Sequence, residues 1–250
     1  MLVSSKFQLK RHKMRGFFDR LLAAEGTGSS LYLPPGLLLP EIEDMLGKIS
    51  GESIDWSEMA QTAVSSKTGS VFFWGAENKY LILPPFPVSD KYIAVGYDIE
   101  PLQGLLTRDY MVALVLVRMG AFAVGIFRGN RLIVSKVGTG LVHGRHKKGG
   151  SSQGRFARHR EKQAETFLDR VCHHVRQRME PEIKNIEYVV YGGSRTTIML
   201  LNKRCHFLSQ FDDKTLPPLL DIPDPRQHVL ESGIDTVWSS VIFEWREKSF

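Results

Sequence analysis

Three apolar runs in close succession, Tyr110–Arg118, Ala121–Arg128 and Arg131–Val137, constrain this chain more than any other stretch. Each is rich in β-branched and aromatic residues, and only Gly120 and Gly129-Asn130 mark the turns between them. Turns that short leave no room for a crossover, so the runs are expected to pair as an antiparallel meander, with Gly-Asn as a two-residue hairpin signal. Gly138-Thr139-Gly140 ends the third run. From Arg155 to about Met179 the period becomes helical: Ala157, Ala164, Phe167, Leu168, Val171, Cys172 and Val175 form one apolar stripe. A meander followed by a long amphipathic helix predicts an α/β (α+β) domain, a mixed sheet with helices packed on it.

The N-terminal part reads as a separate small α/β unit over 1–105. Its expected elements are a helix over Met14–Leu22 closed near Gly26, a strand at Ser29–Leu33 and helices over Leu39–Ile49 and Trp56–Val64. A hairpin of Val71–Trp74 with Tyr80–Leu83 follows, and the proline-rich exit Pro84–Val88 leads to a connection over Asp98–Gly104. The second unit, 106–250, continues after the long helix with a strand at Ile186–Tyr191 and a helix from Ser194 or Arg195 through Leu201. Breaks are expected at Pro217-Pro218 and Pro223-Asp224-Pro225, then a last helix from Arg226 to Trp245.

Charge singles out the link between meander and helix. Residues 141–178 hold ten Lys/Arg against three acids, a net of +7, whereas the whole chain is +6 and the remainder therefore sums to −1. An excess held in one loop and the helix after it is the footprint of a polyanion-binding edge; the competing reading is a solvated charged helix face. The longest apolar run, Met111–Val117, stops at Arg118, far short of the roughly 20 residues of a membrane span. The basic start lacks the apolar stretch of a secretory signal, so a cytoplasmic protein with no membrane partner is expected. Cys172 and Cys205, the only two cysteines, read as small core residues rather than a disulfide framework.

Within the basic link lies Lys147-Lys148-Gly149-Gly150-Ser151-Ser152-Gln153-Gly154-Arg155-Phe156. Glycines and small polar residues framed by cations describe a loop that can enter a crowded, negatively charged place and present backbone N–H groups and one neutral amide. Other chemistries fit less well. His143, His146, Cys172, His173 and His174 bring no matching carboxylate for zinc, and no metal or other cofactor is expected. The loop lacks the Gly-Lys-Ser/Thr of a phosphate-binding P-loop, and Ser151 and Ser152 lack an Asp/His signature for nucleophilic catalysis. Gly192-Gly193-Ser194 reads as a packing turn. Gln153 cannot serve as a general base, but its amide can orient water or donate to developing negative charge when a partner carries the proton.

At these residues the sequence resembles the catalytic middle domain of eukaryotic and archaeal class I peptide-chain release factors, with its Gly-Gly-Gln loop. Arg155-Phe156-Ala157-Arg158-His159-Arg160-Glu161-Lys162 is similar to the segment opening that family's long helix, one residue shorter here. The preceding meander and Val189-Val190-Tyr191-Gly192-Gly193 fall in the family's order, and the match covers roughly Asp109–Phe250. Ser151 and Ser152 stand between Gly150 and Gln153, giving Gly-x-x-Gln, a spacing that resembles the Vms-type (VLRF) rescue factors. The stop-codon-reading Asn-Ile-Lys-Ser motif is absent from 1–105.

The resemblance implies a stop-codon-independent rescue factor that frees nascent peptide from peptidyl-tRNA on stalled ribosomes or large subunits. Gln153 would act within a loop of Gly149, Gly150, Ser151 and Ser152. Arg145, His146, Lys147, Lys148, Arg155, Arg158 and Lys162 would contact RNA. The expected partners are large-subunit rRNA and peptidyl-tRNA; a partner GTPase is not expected, since the matched stretch leaves no room for its binding domain. Two alternatives stand beside this: an endonuclease cutting tRNA near its 3′ end, with His143 or His146 moving the proton, and a non-catalytic ribosome- or RNA-binding module.

Overall fold

A computed structural model describes residues 3–23, 28–50, 57–76, 78–142 and 153–246. The chain divides into two compact units, residues 1–108 with 237–250, and residues 109–236. The final segment thus returns to the first unit. That corrects the expected division at 105/106 and the expected last helix to Trp245. A shorter helix, α7 (Gln227–Val237), ends before Trp238, and Ser240–Arg246 is a strand, β11. Its apolar residues Val241, Ile242, Phe243 and Trp245 satisfy a two-sided buried strand as well as a helix, so periodicity alone could not separate the two.

The first unit is built on a six-stranded sheet in the order β1-β11-β4-β3-β2-β5, with β1 at Val3–Leu9, β2 at Ser29–Leu33, β3 at Ser70–Trp74, β4 at Asn78–Leu83 and β5 at Tyr92–Val95. All of its pairings are antiparallel, including the β3–β4 hairpin expected from sequence. Helices α1 (Arg11–Ala23) and α4 (Glu100–Thr107) cover one face, where Phe17, Phe18, Leu21, Leu102 and Leu106 meet Val71, Phe73, Ile82 and Ile242. Helices α2 (Leu39–Ser50) and α3 (Ser57–Ser65) cover the other, where Ile42, Leu46, Met59 and Ala63 meet Leu31, Phe72, Leu81 and Trp245. Strands β1 and β5 and helix α4 were not anticipated. β1 alternates Lys6 and Gln8 with Phe7 and Leu9, and its charge masked the period of two.

The second unit has a five-stranded sheet in the order β10-β9-β6-β7-β8. β6 (Met111–Arg118), β7 (Ala121–Arg128) and β8 (Arg131–Thr139) form the expected meander, while β9 (Tyr188–Gly193) joins β6 in parallel, making the sheet mixed. β10 (Thr215–Leu220) contains Pro217-Pro218, read from sequence as a break. It is an edge strand whose pairing to β9 skips from Leu216 to Leu220, so the missing proline N–H groups cost no ladder bonds. Gly192-Gly193, read as a packing turn, is instead the paired end of β9, but the packing role holds: Gly193 has φ +118°, and a side chain there would strike the Val117 carbonyl. The long helix α5 (Gln153–Met179) and α6 (Arg195–Arg204) pack on one face of this sheet through Phe167, Leu168, Val171, Val175, Ile198 and Leu201.

Candidate nucleic-acid interface

α5 spans 27 residues, which is about 40 Å of helix at 1.5 Å per residue. Its buried residues begin only at Phe167, followed by Leu168, Val171, Val175 and Met179. Ahead of Phe167 the side chains of Arg155, Phe156, Ala157, Arg158, His159, Glu161 and Lys162 are exposed. The predicted apolar stripe is therefore corrected at its start: Ala157 is exposed and Ala164 half-buried. Alanine carries too little apolar surface to show whether a sheet lies beneath it.

The end of β8 fixes where the sheet stops. The Gly140 N–H donates to the Gly120 carbonyl at 2.8 Å. A Cβ on Gly140 would lie 2.6 Å from the Phe167 ring and 3.0 Å from an Arg170 guanidinium nitrogen. β8 thus leaves the sheet at the level of Phe167, fourteen residues from Gln153, or about 21 Å along the helix. The first half of α5 extends past the end of β8, overhanging it, and Gln153 is the first residue of the helix.

The base of the helix is tied down. Arg204 at the end of α6 bonds both carboxylate oxygens of Asp169 at 2.9 Å and reaches Glu165 at 3.2 Å. The hydrogen bonds from Arg204 hold the Asp169 carboxyl below its usual range. One turn on, Cys172 and Cys205 form a disulfide with Cα atoms 5.4 Å apart. This corrects the reading of two separate core thiols: the α5 stripe and the end of α6 meet across 33 residues of sequence, a proximity that no spacing reveals. With its sulfur in that bond, Cys172 cannot serve as a thiolate metal ligand. His174 stacks on Phe122, centroids 5.4 Å apart; burial first, then the charges of Lys136, His173 and Arg178, push its pKa down.

These contacts sort the charges. Glu165 and Asp169 are engaged by Arg204, so the overhanging half carries Arg155, Arg158, Arg160 and Lys162 against Glu161 alone. Of the residues singled out from sequence, Arg155, Arg158 and Lys162 lie together on that exposed half, and Gln153 is the first residue of α5. His143, Arg145, His146, Lys147, Lys148, Gly149, Gly150, Ser151 and Ser152 lie outside the described residues. Two residues flanking the link were not anticipated as surface features: Leu141 is 73 % and Phe156 69 % exposed. An aromatic residue set among cations was the available signal for Phe156.

Residues 110–243 match the model of the actinobacterial and chloroflexi VLRF1 release factor family. The chain belongs to this family. The VLRF1 match begins at the meander and runs through α5 to β11. Among curated proteins, the chain is 32 % identical over 220 residues to peptide chain release factor subunit 1 of Methanopyrus kandleri, covering 76 % of this chain and 53 % of that one. It is 26 % identical to the Archaeoglobus fulgidus protein of the same name, over 76 % of this chain and 54 % of that one. The chain spans about half the length of these relatives. Among solved structures it is similar to an archaeal translation termination factor, with TM-score 0.41 and 17 % identity over 92 % of this chain and 73 % of that one. It is also similar to Archaeoglobus fulgidus Pelota, with TM-score 0.30 and 8 % identity over 95 % of this chain and 67 % of that one. No helix among the described residues is long and apolar enough to cross a membrane.

Proposed function

We propose that this VLRF1 family member is a stop-codon-independent rescue factor acting in the cytoplasm, one that releases nascent peptide from peptidyl-tRNA on stalled ribosomes or large subunits. The observation that carries the reading is the overhang of α5, which ends in Gln153 and bears a net cationic, exposed surface. A helix held at its base and extending past its sheet can reach into a narrow RNA-lined space without unfolding. Arg155, Arg158 and Lys162 would neutralise rRNA and tRNA phosphates, and the Phe156 ring offers a stacking face for a base. Arg145, His146, Lys147 and Lys148 extend the same cationic run in sequence, and Gly149, Gly150, Ser151 and Ser152 give the backbone close access.

In this reading the Gln153 amide positions water against the peptidyl-tRNA ester and donates to the oxyanion that forms. A 2′-hydroxyl of the tRNA accepts and passes the proton, which an amide cannot do. The protein brings no metal, other cofactor or partner GTPase to the step. The test is release of labelled peptide from stalled complexes. Gln153→Ala is expected to lower the release rate by about 100- to 1000-fold, the usual cost of losing one oxyanion donor, while ribosome binding persists. Unchanged release would remove Gln153 from the mechanism. The tRNA terminus decides the reaction: an intact 3′ end means ester hydrolysis, and a shortened one means endonuclease cleavage.

A further inference from the structure

On the α1-covered face of the first unit's sheet lies a cavity of about 350 Å³, lined by Phe7, Phe17, Arg20, Asn78, Tyr80, Tyr97 and Glu244, with Leu21 at its wall. Its size falls in the range of small-molecule sites, about 300–1000 Å³. The lining is assembled from five places in the sequence: β1, α1, β4, the segment after β5, and β11. Strand register puts Ser5, Glu244 and Tyr80 in one row across β1, β11 and β4. The Glu244 carboxylate accepts from the Ser5 hydroxyl at 3.1 Å and from the Tyr80 hydroxyl at 3.4 Å, which fixes its orientation. Two glycines make room for Tyr97: a Cβ on Gly28 would lie 2.5 Å from its ring, and one on Gly75 would strike its hydroxyl.

We propose that this cavity is a binding site for a guanine base, stacked on its aromatic side chains and read by Glu244 and Arg20. Every base has a face for Phe7, Phe17, Tyr80 or Tyr97, so stacking alone would not discriminate. The polar lining does. Guanine presents two adjacent N–H donors, N1 and N2, to a carboxylate, and two acceptors, O6 and N7, to a guanidinium; no other base offers both pairs. Arg20 in the same lining argues against a quaternary ammonium, the other ligand that aromatic walls and a carboxylate could hold. The chain around α1 is cationic: residues 1–20 carry six Lys/Arg against Asp19 alone, and Lys13, Arg15 and Arg20 of α1 are exposed.

The experiment is calorimetric titration of the full chain with GMP, AMP, CMP, UMP and tetramethylammonium, and with a uridine hexamer carrying one guanosine. GMP is expected to bind at least about tenfold tighter than the other nucleotides, since one good base-edge pair is worth that discrimination. Glu244→Gln, which keeps the side chain's shape, is expected to bring GMP down to the level of AMP. Arg20→Ala, at an exposed position where truncation leaves the fold intact, should do likewise. Tyr97→Leu is expected to weaken GMP and AMP together by about fivefold or more. A hexamer tighter than GMP identifies an RNA strand as the source of the base, and equal affinities identify a free nucleotide. Equal binding of all four nucleotides, no GMP binding at millimolar concentration, tetramethylammonium binding in place of GMP, or a guanine preference that survives both Glu244→Gln and Arg20→Ala would overturn the proposal.

Discussion

The two halves of α5 are one helix in two environments. From Phe167 onward its apolar side chains are buried against β6 and β7, its acids are paired with Arg204, and Cys172 is bonded to Cys205. Before Phe167 the same helix runs past the end of β8, has no fully buried side chain among the described residues and shows Arg155, Phe156, Arg158 and Lys162 to solvent. A helical half with no buried apolar side chain persists because helix formation is cooperative and the packed half supplies the nucleus. The difference teaches what each half is free to do: the base can be changed only at a cost in stability, whereas the overhang can carry contacts for another molecule.

The sharpest break of that comparison substitutes one phenylalanine in each half. Phe167→Ala is expected to cost about 3–5 kcal/mol, because the ring is buried against Phe122 and its loss leaves a cavity. Phe156→Ala, at 69 % exposure, is expected to change stability by less than about 0.5 kcal/mol. Urea unfolding of both variants checks this. A large loss from Phe156→Ala would mean that the overhang is supported after all.

Next in size is the covalent tie. Reducing the Cys172–Cys205 bond should lower stability by about 2–4 kcal/mol, as expected for closing a loop of 33 residues' separation. The unfolding midpoint should drop on adding a thiol reductant and should no longer respond in Cys172→Ala. A midpoint indifferent to reductant would leave the ion pairs and apolar contacts as the whole attachment.

The cations of the overhang come third. Arg155→Ala, Arg158→Ala and Lys162→Ala should each weaken ribosome binding and lower the slope of log affinity against log salt by about one. The unfolding midpoint should hardly move. A triple variant with an unchanged salt slope would dismiss this surface as the contact.

The same division shows what the sequence could disclose. The meander was legible because Gly120 and Gly129-Asn130 leave only one way to pair three runs, and α5 was legible from Phe167, Leu168, Val171 and Val175. The overhang was not, because an apolar period reports which face is inward but not whether anything lies there, and Ala157 fits either case. The charge of 141–178 located the interface, while the pairing of Glu165 and Asp169 with Arg204 depends on α6 arriving alongside, which local spacing does not encode. β11 was hidden for a related reason: its partners β1 and β4 lie more than 150 residues away in sequence.

The smallest expected effect concerns His174, at the supported base. Its pKa is held below the ordinary 6.5, chiefly by burial and further by Lys136, His173 and Arg178, so the folded protein binds this proton less readily than the unfolded chain. Between the lowered folded value and 6.5 the unfolded state therefore carries more protons, and stability rises with pH across that window. On acidification the second unit should lose stability from about pH 6.5 downward, until the folded pKa is passed and the penalty stops growing. Urea midpoints measured from pH 7.5 to 5 for the wild type and for His174→Gln separate this proton from the carboxylates. The variant should flatten the upper part of the profile and leave the decline at lower pH, where Asp169, its pKa lowered by Arg204, takes up its proton. An identical profile in both proteins would place the pH-sensitive contact elsewhere, and His174 would then be no more than a ring stacked on Phe122.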